Sequence, residues 1–464
     1  MYRLADSACL PAWLGCLAAV AGLATVTAQV RQLDPAAIER VAIDELRSTK
    51  TPGAAVAVIS GDRVVFSHGY GVANVETGEA MTPDLLCRLG STTKMFTASA
   101  VVSLALEGKI DLEAPVGRYI AGLDPAIAKL TANQLLSHTS GLHDEAPMFG
   151  SHDETALGAG VHAWKADFLF AQAGRIYSYS NPGFWLAGCL AESAGGKLYA
   201  DVIAERIFEP LGMKRSTLRP TMAMTWPLAQ GHDVQNGKPV VIRPAADNAA
   251  GWPAGSIFSS ALELSRFVIA FMNDGRLDGK QVLPSKLIAI MSSPHAGIPG
   301  GTDHYGYGLS LSNNRGVRWV EHGGSRAGYG STIRMAPDRK FAVIIVANRS
   351  GSGMPKLADA ISEAMLALGP KTPEPATHPL DSVEVRRYTG AYRNGNSRMT
   401  LEADGAGLKS TDGGNITRFT RAGDGFLLSE TKGDEPVSRL VLIPDSNGRI
   451  EFVFRGGRAF RRVE

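Results

Sequence analysis

Arg88-Leu89-Gly90-Ser91-Thr92-Thr93-Lys94-Met95-Phe96-Thr97-Ala98-Ser99-Ala100-Val101-Val102-Ser103-Leu104-Ala105-Leu106-Glu107-Gly108 is the stretch that decides the fold. From Met95 onward it is apolar nearly all round, which predicts a buried helix ended by Gly108. Residues three apart share a helix face, so the Lys94 amine is expected beside the Ser91 hydroxyl. A serine hydroxyl attacks only when a neighbour takes its proton, and lysine can do so when burial lowers its pKa. Free backbone N–H groups at the helix start favour a developing oxyanion.

S-x-x-K alone is a common pattern, and the chain carries a second copy, Ser429-Glu430-Thr431-Lys432, with no helix-like run behind it. Two further pieces follow the first copy in order. Tyr179-Ser180-Asn181 lies in the loop-like stretch from Gly174 to Gly183, where Tyr179 can relay protons and the Asn181 amide can hold a substrate carbonyl or amide. His322-Gly323-Gly324-Ser325 follows the β-like run from Val317 to Val320, and glycines there let a substrate approach the strand backbone closely. Leu135-Leu136-Ser137-His138-Thr139-Ser140-Gly141-Leu142 and Pro210-Leu211-Gly212-Met213 flank them.

With these motifs the chain resembles the penicillin-recognising serine hydrolases, in the branch that holds class C β-lactamases, D-alanyl-D-alanine carboxypeptidases, D-aminopeptidases and related esterases. The resemblance covers roughly Pro52 to Met365. It implies acyl transfer through Ser91, with Lys94 and Tyr179 moving protons and Ser325 sharing the oxyanion with Ser91. It places Asn181, His322, Gly323, Gly324 and Ser325 in the substrate site, and it implies neither metal nor cofactor. The family's third motif usually begins with lysine. His322 stands there instead, as in certain carboxypeptidases, D-aminopeptidases and esterases. With an ordinary pKa of about 6.5, it predicts that activity toward carboxylate-bearing substrates rises as pH falls.

Outward from this centre, 464 residues, 44% hydrophobic and 20% charged, suffice for a large core and more than one domain. A net charge of +2 without basic blocks argues against a nucleic-acid partner. Residues 1–28 read as a secretory leader: Arg3, an apolar run from Trp13 to Ala24, and small residues before Gln29. The product is then expected to be periplasmic or secreted, with no membrane span once the leader is removed. Cys87 and Cys189 remain; an oxidising compartment would allow them to pair, while their apolar flanks favour two buried thiols.

Residues 29–368 are expected to form the hydrolase domain. Asp34 caps a helix with Pro35 in its first turn and Ile38, Val41, Ala42 and Leu46 on one face. The segments 55–59 and 64–66 form a hairpin around Ser60-Gly61-Asp62, and strands return at 332–335 and 341–346. Strands at both ends of a helical middle predict an α+β fold, an antiparallel sheet flanked by helices plus an all-helical lobe. Residues 369–381 are a proline-rich linker. In 382–464, turns such as Asp404-Gly405 and Gly456-Gly457 predict a small all-β barrel. Its opening, Tyr388-Thr389-Gly390-Ala391-Tyr392, resembles lipocalin-like C-terminal domains of this superfamily.

Other candidates carry ordinary readings. His138, His143, Asp144 and Glu145 belong to a fixed loop rather than a metal site, Glu192 and Glu263 are solvated or capping, and Tyr177 packs. Arg326 either reaches the same anion as His322 or faces solvent. Gly323-Gly324-Ser325-Arg326-Ala327 misses G-x-S-x-G at its last position, which argues against an α/β-hydrolase. Three functions stay open: a serine esterase or D-amino-acid peptidase, a class C-like β-lactamase, and an acyl-trapping penicillin-binding or sensor protein. Their ligands are small esters, D-amino-acid peptides or β-lactams.

Overall fold

A computed structural model describes residues 33–373, 375–412, 415–423, 425–430 and 437–463. The 1–28 leader lies outside the described residues. The Pro35–Thr49 helix is capped as its sequence predicts, with Asp34 accepting the Ala36 N–H at 3.0 Å and Ile38, Ala42 and Leu46 buried. Among the described residues no helix is long and apolar enough to cross a membrane.

The first unit is built on one antiparallel sheet, in the spatial order Arg63–Gly71, Gly53–Ser60, Phe341–Ala347, Tyr329–Ala336, Val317–Arg326, Ser310–Asn314, His304–Tyr305 and Ala296–Gly297. The first and last long strands of the unit therefore pair side by side, second and third in the sheet. Gly53–Ser60 and Phe341–Ala347 are apolar nearly throughout because both faces are covered. Along Gly53–Ser60, Ala54, Val56 and Val58 pack under the Pro35–Thr49 and Pro355–Met365 helices, while Ala55, Ala57 and Ile59 join the main core on the other face. Phe341–Ala347 divides in the same two-residue alternation.

The main core also holds the helical lobe. The Thr93–Leu106 helix is buried on nearly every side, in keeping with its unbroken apolar sequence, and packs against the Asn181–Gly195 and Ala261–Met272 helices. Cys87 and Cys189 are buried free thiols, as expected, and burial pushes both up to about 12.

The C-terminal residues close into an antiparallel barrel running from Gly390–Asn394 to Arg458–Arg462. The second half of the proline-rich segment already docks on it, through His378 and Leu380. The barrel has its own core, including Tyr392, Phe419 and Leu440. A separate apolar cluster joins Ile176, Tyr177, Ala296 and Tyr305 of the first unit to Val441, Phe452, Phe454 and Ala459 of the barrel. Through this contact the barrel reaches the motif residues.

Candidate active site

Four elements converge: the entry to the Thr93–Leu106 helix, the start of the Asn181–Gly195 helix, the Val317–Arg326 strand and the barrel turn at Gly456-Gly457. Ser91 is not in the α-helix itself. It sits in the 3-10 turn Gly90–Thr92 that leads into the helix, where residues three apart nearly eclipse, so the predicted Ser91–Lys94 adjacency holds for a tighter reason. Gly90 has φ of 59°, and a Cβ there would lie 2.5 Å from the Ser325 backbone nitrogen. Across the contact, a Cβ on Gly324 would lie 1.8 Å from the Leu89 carbonyl oxygen. The two glycines thus press the Ser325 segment against the serine turn. The strand runs on through His322-Gly323-Gly324-Ser325 to Arg326 rather than ending before them.

Lys94 is 0% exposed. Its Nζ lies 3.3 Å from Ser91 Oγ, 2.7 Å from Asn181 Oδ1 and 2.8 Å from the Ala254 carbonyl oxygen. Burial, opposed by Asp144 and helped by Arg458, pushes the amine down to about 7. The Tyr179 phenol lies beside Ser91, and its ring centroid is 4.8 Å from Lys94 Nζ. Burial raises the Tyr179 phenol well above its ordinary range, so it is protonated at neutral pH.

The Tyr179 backbone is tethered too, its N–H donating to the Gly457 carbonyl of the barrel at 2.9 Å. Its ring packs on His138, with centroids 4.1 Å apart. His138 Nδ1 accepts the Ser180 N–H at 3.1 Å, which leaves the proton on Nε2, and burial keeps the ring neutral. Asn181 is the first residue of a helix rather than a loop residue, with Ser180 as its N-cap. Its amide is held between Lys94 and Asp144.

His322 is buried and differs from expectation. Its Nδ1 lies 2.6 Å from the Gly323 carbonyl oxygen and so carries the proton, while Nε2 accepts from the Tyr305 hydroxyl at 2.8 Å. Burial and the nearby Lys94 push it down to about 3. The ring is neutral across pH 5 to 8 and has no free N–H for a ligand, so the expected charge change near pH 6.5 does not occur. Gly323 and Ser325 are exposed beside it. Arg326 neither faces solvent nor reaches toward His322. Its buried side chain donates to the Gly255 and Ala246 carbonyls, with Asp247 3.9 Å away.

Among the described residues no group of three His, Cys, Asp or Glu could hold a metal ion. Asp144 instead accepts from Asn181 and Arg458, and His143 packs its ring on Phe168. Glu263 accepts from Arg215 and Ser216, and Glu192 from the Tyr199 N–H, so both act as backbone caps. Sequence reasoning overlooked Asp144 and Arg458 at this site. Asp144 follows the Leu135–Leu142 motif by two residues, a usable signal. Arg458 is 314 residues away, at the start of a strand after a Gly-Gly turn, and carries none.

The Beta-lactamase family matches residues 36–367. Penicillin-binding protein 4 of Amycolatopsis lactamdurans is 28% identical over 366 residues, covering 75% of this chain and 95% of that protein. A structure of SurE with D-Leu superposes with a TM-score of 0.72 at 25% identity, covering 92% of this chain and 99% of that one. The D-alanine carboxypeptidase AmpC from Burkholderia cenocepacia superposes with a TM-score of 0.58 at 22% identity, covering 70% of this chain and 97% of that one.

Proposed function

The chain belongs to the β-lactamase family of penicillin-recognising serine hydrolases, and from that premise we propose that it hydrolyses an ester or a D-amino-acid amide through an acyl-enzyme on Ser91. The observation that carries this reading is the shell around the Lys94 amine. At a pKa of about 7 a good share of it is neutral near pH 7, with two N–H bonds and one lone pair. Asn181 Oδ1 and the Ala254 carbonyl only accept, so they take both N–H bonds. The lone pair is left for the Ser91 hydroxyl.

Ser91 Oγ then attacks the substrate carbonyl carbon as its proton passes to Lys94. The oxyanion rests on the backbone N–H groups of Ser91 and Ser325. The Tyr179 phenol gives its proton to the leaving group and regains one from the Lys94 ammonium. Water repeats the sequence in reverse, with Lys94 drawing its proton through Tyr179 and Ser91 leaving as the alcohol. Because Tyr179 is held protonated, it acts as a relay and Lys94 as the base in both halves.

Two observations favour esters and D-aminoacyl groups over β-lactams. His322 is neutral and internally bonded, so it supplies no cation for a carboxylate. The SurE structure with D-Leu matches a span long enough to include the barrel. Export through the 1–28 leader belongs to the same proposal. Intact-mass kinetics with a p-nitrophenyl ester, a D-alanyl peptide and a penicillin test the substrate class. Turnover of the ester or peptide, with a slower or stalled penicillin adduct, is expected. Penicillin turnover exceeding both would defeat this preference.

The same geometry sets the pH dependence. Lys94 must be neutral to act, so kcat/KM rises with pH along one limb centred near 7, and it does so equally for neutral esters and carboxylate substrates. Profiles from about pH 5 to 9 check this, since histidine and lysine titrations separate over that range. A carboxylate-specific rise toward low pH would return a charged His322 to the mechanism.

A further inference from the structure

Asp144 is buried beside the start of the 15-residue Asn181–Gly195 helix, where the helix dipole favours an anion. Its Oδ1 accepts the Asn181 backbone N–H at 2.7 Å and the Asn181 Nδ2–H at 3.0 Å. Its Oδ2 accepts Arg458 Nε at 2.6 Å. Arg458 arrives from the turn between the Ile450–Arg455 and Arg458–Arg462 strands of the barrel, with its guanidinium 5.3 Å from the Tyr179 ring centroid.

We propose that Asp144 is a positioning residue for the Lys94 base, and that Arg458 of the C-terminal barrel locks it in place. The inference rests on the assignment of Ser91 and Lys94 given above. A carboxylate can only accept, so it compels the Asn181 amide to turn Nδ2 toward Asp144 and Oδ1 toward Lys94. Without it the amide is free to rotate. A reversed amide would present Nδ2–H to Lys94 and occupy the lone pair meant for the Ser91 hydroxyl. The barrel thereby reaches the nucleophile through Arg458, Asp144, Asn181 and Lys94, without Arg458 touching the reacting atoms.

The two charges also oppose each other at Lys94, where Asp144 favours the ammonium and Arg458 disfavours it. The other titratable groups facing the amine are Tyr179, protonated, and His138 and His322, both neutral. The test is the rate at which the full-length chain is labelled by a fluorophosphonate, read by intact mass from about pH 5 to 9, with melting curves for every variant. Asp144→Asn should move the acid limb to lower pH and Arg458→Met should move it to higher pH, each by about half a pH unit or more, while Arg458→Lys stays near wild type. On the alkaline plateau Asp144→Ala should label at least about 10-fold more slowly than Asp144→Asn, whose amide still accepts from Asn181. Limbs that stay put or move the same way, or equal plateaus for the two Asp144 variants, would overturn the proposal. If Arg458→Met does not fold, Asp144→Asn decides alone, and an unmoved or raised limb overturns it. Wild-type protein that forms no adduct at Ser91 would instead defeat the underlying assignment.

Discussion

Ser91→Ala is expected to abolish covalent labelling by a fluorophosphonate, and Lys94→Met to lower kcat/KM toward a p-nitrophenyl ester by at least about 10⁴-fold. Both variants should stay folded. Ser91 is half-buried in a short turn and its hydroxyl contacts the Lys94 amine at 3.3 Å, so losing it removes a contact within the site at little packing cost. Lys94 is fully enclosed, and methionine fills a similar volume without an amine to desolvate. The Ala254 carbonyl and Asn181 Oδ1 lose a donor, at about 1–3 kcal/mol per unsatisfied group, partly offset by the relief of a buried ionisable amine. Lys94→Ala would add a cavity and confuse stability with catalysis. Labelling that persists in Ser91→Ala, mapped by peptide mass, would move the nucleophile elsewhere. Ser429, the other S-x-x-K serine, ends a barrel strand where its Oγ accepts the Ser438 N–H.

What could be read from the sequence was local or periodic. The Asp34 cap, the hairpin of the apolar run 55–59 with 64–66 and the all-apolar helix after Ser91 are each settled within a few residues, and the structure agrees with all three. The motif residues Ser91, Lys94, Tyr179, Asn181 and His322 were identifiable as types in order, and the fold brings them together. What eluded sequence reading depends on partners far away in the chain. The β-like run is apparent in the sequence only from Val317 to Val320, yet the strand continues to Arg326, and the Leu89 carbonyl lies too close for a Cβ on Gly324. The titration of His322 is set by burial and the nearby Lys94, neither visible in the four-residue motif. Arg458 looks like any charged residue after a Gly-Gly turn, and only tertiary structure carries it to Asp144.

The barrel raises the same question on a larger scale, because linker composition suggests that a chain ending at Thr372 keeps a complete catalytic unit. The hydrophobic clusters support half of that expectation. Every residue of the two clusters on the faces of the main sheet lies before the linker, and the barrel's own cluster begins at Leu380. Truncation at Thr372 should therefore leave a sheet and helical lobe that unfold cooperatively. The site does not divide in the same way. Without the barrel, the Tyr179 N–H loses the Gly457 carbonyl, Ser178 Oγ loses the Ala459 N–H, and the Asp144 N–H loses Asn394 Oδ1. Ile176, Tyr177 and Tyr305 lose the packing of Val441, Phe452 and Phe454, and Tyr305 is the group that bonds His322. The segment from Ile176 to Asn181 then holds Tyr179 and Asn181 only through its own first unit. A displacement of about 1 Å in such groups costs on the order of 100-fold, so kcat/KM should fall by at least about that factor while the melting transition survives. Ester kinetics and calorimetry on the chain ending at Thr372 measure both. A truncated protein with full activity would show that the Gly456-Gly457 turn only packs against the site. One that loses its cooperative transition would show that the cluster joining Tyr177 to Phe454 is part of the core the first unit needs.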